Sequence, residues 1–135
     1  MTTTSAIDQG ETKRICREDL ESYFDAFTRH FLMRESTNAT DVELVAPDWG
    51  DQFAAEGAHL RGITYDPKDN AIEFELEGFN HLIPDPREVW VIEELDGFVP
   101  ALEVIVPNGA RQIARVRRLG VAPKEREPEM PRRGE

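Results

Sequence analysis

The chain has 135 residues, of which 32% are charged and 39% hydrophobic, and its formal net charge is −11; this suits one soluble domain with a modest core. No window reaches the ~18 uncharged apolar residues of a membrane helix. The polar, Thr-rich Met1–Gly10 lacks the apolar run of a secretory signal, and Cys16, the only cysteine, has no partner for an internal disulfide.

A cytoplasmic setting is expected from these features. The charge is uneven: residues 36–97 hold 15 acids and 3 bases, whereas residues 110–135 hold 8 bases and 4 acids. An acidic middle repels phosphate backbones and anionic headgroups, so neither nucleic acid nor a membrane is an expected partner.

Residues 1–14 are polar and without period, and are expected to be disordered. A helix follows. Leu20, Phe24, Phe27 and Phe31 fall at i, i+4, i+7 and i+11, an apolar stripe for packing on a sheet. Glu18, Asp19 and Glu21 sit where the helix dipole favours negative charge, and Arg29, His30 and Arg34 where it favours positive charge. Ser36, Thr37 and Asn38 end the pattern.

Strands are then expected near 41–46, 51–57, 59–65, 71–77, 87–95, 99–106 and 110–118. The clearest is the alternation of Ile72, Phe74 and Leu76 with Glu73, Glu75 and Glu77, one buried face and one wet face. Asp66-Pro67-Lys68-Asp69-Asn70 is a turn in which side chains bond the backbone. Asp96-Gly97 and Asn108-Gly109 are hairpin signals, and Pro84-Asp85-Pro86 forces an extended connection. Pro100 falls inside a predicted strand, where it predicts an edge or a bulge.

Strands 87–95 and 99–106 are apolar on both faces and predict coverage by the helix on one side and by sheet curvature or a second copy on the other. No helix separates consecutive strands, so the pairing is antiparallel. The expected fold is α+β: one N-terminal helix packed on a strongly bent antiparallel β-meander or small open barrel, covering residues 15–119. Residues 120–135, rich in proline and charge, predict a flexible tail.

The ordered runs DLESYFDAFTRH, DWGDQFAAEG, LRGITYDPKDN, HLIPDPREVWV and NGARQIARVR, over about residues 14–118, resemble a bacterial domain-of-unknown-function family, number 5335. Leu60, Gly62, Ile63, Asp66, Pro67, His81, Leu82 and Ile83 carry that likeness. The resemblance implies no activity.

Candidate chemistry is sparse. His81 lies in a connection between two predicted strands, and beside Asp85 or Asp66 its imidazole would serve as base or ligand; Arg87 completes a conceivable cleft. Otherwise its ring simply fixes the loop. Asp66, Asp69 and Asn70 offer oxygen ligands without the EF-hand spacing, and an Asx turn explains them. Cys16 precedes the helix with no base near it in sequence. His30 fits the helix dipole.

Arg115, with Arg111, Arg117 and Arg118, either clamps an acidic partner or pairs with acids on neighbouring strands. Trp49, beside Gly50 in a turn, is either a core anchor or an exposed contact residue. No nucleophile elbow, phosphate loop, dinucleotide fingerprint or paired Cys-x-x-Cys is present, and no cofactor or metal is expected. Three functions follow: a non-catalytic module that binds a protein or itself; a small enzyme or ligand-binding domain with a His81/Asp85/Asp66 cleft; and an acidic decoy that mimics nucleic acid.

Overall fold

The computed structural model of the chain describes residues 10–35, 37–48 and 50–119. The expected tail at 120–135 and most of the expected N-terminal disorder therefore lie outside the described residues. Glu11–Arg14 departs from that expectation: it forms strand β1, paired antiparallel with residues of a strand some eighty positions later. The pairing is non-local, and a four-residue polar run carries no local signal for it.

Helix α1 spans Arg17–Phe27 and buries Leu20, Phe24 and Phe27, with Glu18 and Asp19 in its first turn. The stripe then changes. Thr28–Leu32 winds as a π turn, which adds a residue to the repeat. Leu32 rotates inward, and Phe31, next in the expected stripe, is only half-buried. Phe31 instead joins Phe27 and Phe98 in a cluster with ring centroids 5.5–5.7 Å apart.

The remaining strands are β2 (Thr37–Ala46), β3 (Gly50–Ala58), β4 (Leu60–Asp66), β5 (Ala71–Leu76), β6 (Phe79–Pro84), β7 (Glu88–Glu93), β8 (Ala101–Ile105) and β9 (Arg111–Leu119). They make two antiparallel sheets. One has six strands in the order β1-β7-β8-β9-β2-β3, and the other is the three-stranded β4-β5-β6. The fold is α+β with a helix packed on antiparallel sheet, and the sheets are open. The meander is local, confined to β4-β5-β6 and β7-β8-β9.

Two features of the strand reading are corrected. Residues 79–84, a connection by sequence, form strand β6; the alternation of Phe79, His81 and Ile83 is short and ends at Pro84, but Gly78 (φ 100°) allows a tight return from β5. Pro100 marks neither an edge nor a bulge. It immediately precedes the interior strand β8, where no ladder N–H is needed, and its carbonyl accepts from Val116 N at 2.8 Å.

The expected turns form through their side chains. Asp66 Oδ1 accepts from Lys68 N at 2.9 Å, Asp96 Oδ1 from Phe98 N at 3.0 Å and Asn108 Oδ1 from Ala110 N at 2.9 Å. One core joins the helix and both sheets, with Phe24, Leu60, Ile63, Phe74, Val89 and Val104 at its centre. Each such side chain contributes ~1.5–3 kcal/mol by leaving water.

Along β4, side chains replace a neighbouring strand. Thr28 Oγ1 accepts from Ile63 N at 3.0 Å and donates to Ile63 O at 3.1 Å. A Cβ on Gly62 would meet Thr28 Cγ2 at 3.3 Å, so this approach uses the bare backbone at Gly62.

Candidate functional site

The predicted cleft comes apart in three dimensions. His81 sits on β6 opposite Phe74, and its ring meets that phenylalanine edge-on at 6.3 Å. Its Nε2 lies 2.6 Å from Gln112 Oε1 on β9, so the imidazole ties the small sheet to the large one. Asp66 caps its own turn and borders a separate hollow of about 300 Å3 with Asp69, Glu73 and Leu82.

Asp85 and Arg87 do come together. With Asn70, Arg14 and Arg17 they line a cavity of about 390 Å3 at the junction of β1, α1 and the lead into β7. His81 and Asp66 do not line it. Asp85 is held at φ 56° and Asn70 at φ 51°, and Asn70 Nδ2 donates to Asp85 Oδ1 at 3.0 Å. Trp49 lies outside the described residues.

Arg115 stands on the outer face of the six-stranded sheet, the face turned away from the core. Pairing registers put Trp90 and Ile92 of β7, Ala101 and Glu103 of β8, and Ile113 and Arg115 of β9 side by side there. They line a shallow groove of about 310 Å3. Phe53, next to Glu43 in register, extends the same face and is 48% exposed.

Cross-strand ion pairs flank this apolar strip. Arg111 Nη1 lies 2.9 Å from Glu103 Oε2, Arg115 Nη1 lies 2.8 Å from Glu43 Oε1, and Arg117 Nη1 lies 3.7 Å from Asp41 Oδ2. Of the two expectations for these arginines, pairing with acids on neighbouring strands is thus satisfied within the chain. The hydrogen bond with Asp51 and the Arg115 guanidinium hold Glu43 below the usual carboxylate range. The same contact pushes Asp51 up.

Sequence reasoning did not single out Trp90, Ile92 or Ile113 as surface residues. The signal was the two-faced apolarity of strands 87–95 and 99–106, of which helix, small sheet and core cover one face only.

The family of unknown function DUF5335 matches residues 11–125. The chain belongs to this family. As a DUF5335 member it is 37% identical, over 107 residues, to an uncharacterised protein of Aquifex aeolicus strain VF5; the match covers 78% of this chain and 92% of that one. No solved structure matches. The resemblance read from the ordered sequence runs is therefore correct, and the match takes in β1, which that reading left outside the fold. No helix among the described residues of this DUF5335 chain is long and apolar enough to cross a membrane. Among the described residues, no three His, Cys, Asp or Glu side chains gather to hold a metal ion.

Proposed function

We propose that this DUF5335 chain is a non-catalytic binding module that works by association through the outer face of its six-stranded sheet, and that the surface suits a second copy of the chain. The observation that carries this reading is the charge balance of that face. The chain as a whole has net charge −11, so two copies repel one another over most orientations. On the outer face, Glu43, Asp41 and Glu103 are matched by Arg115, Arg117 and Arg111. The repulsion is reduced there, although Asp51 beside Glu43 and Glu88 beside Trp90 add acids without an arginine, and the strip between the pairs is apolar.

A two-fold interface must be complementary to itself. A strip of Trp90, Ile92, Ile113 and Phe53 with both charge signs beside it meets that condition, and tryptophan and arginine are the residues that carry most binding energy in interfaces. Two such faces stacked ~10 Å apart would form a sandwich around a second core.

The ligand-cleft alternative loses support from the separation of His81 and Asp66 from Asp85. The decoy reading needs acids along one continuous face, but they are divided between the two sheets and several are neutralised by arginine. A bacterial, cytoplasmic setting goes with the proposed function. Size-exclusion chromatography with light scattering tests it: the wild-type chain should run as a dimer, and Trp90→Glu with Ile113→Lys should run as a monomer that still melts in one cooperative step, at a lower temperature because the dimer no longer stabilises the fold. A wild-type monomer at all concentrations would count against the proposal.

A further inference from the structure

We propose a second, independent site: the cavity at the junction of β1, α1 and β7 binds the phosphate group of a small hydroxylated phosphate monoester through Arg14, Arg17 and Arg87. The three arginines come from separate elements and line one space of about 390 Å3, within the range of small-ligand sites, about 300–1,000 Å3. In an acidic chain, cations that converge are expected to be neutralised by neighbouring carboxylates. On β9, Arg111, Arg115, Arg117 and Arg118 all are.

Around the cavity the pattern reverses. Among the described residues, no carboxylate lies within ion-pair distance of Arg14, Arg17 or Arg87. Three arginine residues against one carboxylate residue, Asp85, give the lining a positive balance, and planar guanidinium forks suit phosphate oxygens.

The site is also held in place before any ligand arrives. Arg17 Nε donates to Tyr65 Oη at 3.1 Å, the Tyr65 hydroxyl donates to Asn70 Oδ1 at 2.6 Å, and Asn70 Nδ2 donates to Asp85 Oδ1 at 3.0 Å. Tyr65 is buried, so the chain starts from a fixed point. It orients the Arg17 guanidinium by Nε and leaves its terminal nitrogens without a partner among the described residues.

Asn70 and Asp85 are the only described non-glycine residues with positive φ, at 51° and 56°. Backbone strain of this kind is retained where surrounding structure fixes it, and it gathers at binding sites. Asp85 has a second carboxylate oxygen with no described partner. That oxygen would repel free phosphate and accept a hydroxyl proton, which is why an ester bearing hydroxyl groups is favoured over the inorganic ion.

The test is an amide-resolved NMR titration of the full chain with glycerol 3-phosphate, inorganic phosphate and, at matched ionic strength, sodium chloride. The expected result is saturable shifts at residues 14–20, 70 and 85–89 with glycerol 3-phosphate, weaker ones with inorganic phosphate and none that saturate with chloride. Arg17→Gln and Arg87→Gln should each weaken binding by about tenfold, the scale of one charged hydrogen bond. Arg29→Gln, in the π turn beyond the helix, should leave it unchanged. Shifts that do not saturate in the wild-type chain, or unaltered affinity in both Arg17→Gln and Arg87→Gln, would overturn the proposal. Neither readout depends on the oligomeric state.

Discussion

Asn38 grips the backbone of Leu60 with two hydrogen bonds: its Nδ2 donates to the Leu60 carbonyl at 3.0 Å, and its Oδ1 accepts from the Leu60 N–H at 2.9 Å. Thr40 Oγ1 donates to the same Oδ1 at 2.9 Å. A carboxamide here does what a neighbouring strand would do, and it does so while buried. Asn38→Ala leaves the N–H and C=O of Leu60 without partners, and the expected loss is ~2–4 kcal/mol. Urea unfolding measures it; a change below ~0.5 kcal/mol would mean the edge of β4 finds other partners.

Thr28 serves β4 in the same way one turn along. Thr28→Val keeps the shape and removes both bonds to Ile63, so it should destabilise by ~1–3 kcal/mol. Thr28→Ser keeps the hydroxyl and should lose less. Equal losses in the two variants would show that packing against Gly62 matters more than the hydrogen bonds.

Arg118 holds the π turn against the loop between β7 and β8. Its guanidinium lies 3.9 Å from the Phe98 ring centroid and 5.3 Å from that of Phe31, and its Nη2 lies 2.9 Å from Asp96 Oδ2. Arg118→Lys keeps the charge but not the plane that stacks on the ring, so it should recover little of the ~1–3 kcal/mol lost in Arg118→Ala. Thermal melts of the two variants compare them directly.

Acid should weaken the fold through Glu93 and Asp96. Burial pushes the Glu93 carboxyl up, but the Tyr23 hydroxyl at 2.6 Å and the Lys13 ammonium at 3.0 Å outweigh it and hold the group below its usual value. Burial likewise pushes Asp96 up, and Arg118 and the Phe98 N–H outweigh that. Both groups have a folded pKa below the unfolded one. Their stabilisation is therefore present above the ordinary carboxylate range, ~4, and is lost as pH falls through the folded values. Melting temperature followed from neutral pH to pH ~3 should fall, and Glu93→Gln should flatten that fall. An unchanged slope in Glu93→Gln would assign the acid sensitivity elsewhere.

Local signals in the sequence were reliable. The Leu20–Phe24–Phe27 stripe and the alternation through Ile72, Phe74 and Leu76 became the elements they predict, and Asp96-Gly97 and Asn108-Gly109 do join antiparallel neighbours, but in longer loops with positive φ at the glycine alone. What the sequence did not reveal depends on distant pairing. Glu11–Arg14 is a strand only because Val91 and its neighbours stand beside it, and Phe31 leaves the stripe only because the π turn inserts a residue.

The candidate cleft divides along the same line. Asp85 and Arg87 are two apart in sequence and stay together, whereas Arg14 and Arg17 reach them through β1 pairing that no local pattern encodes. Pro84-Asp85-Pro86 masks the short strand that carries His81, and its partner Gln112 lies on a strand of the other sheet.

Association through the outer sheet face, an apolar strip flanked by ion pairs in an acidic chain, is the proposal on which the function rests. Light scattering on the column eluate tests it most directly. The expected result is a species of twice the 15.4 kDa chain mass that falls to the single-chain mass in Trp90→Glu with Ile113→Lys, with a cooperative melt retained. A wild-type species of single-chain mass at every concentration, or a dimer untouched by those two substitutions, would contradict it.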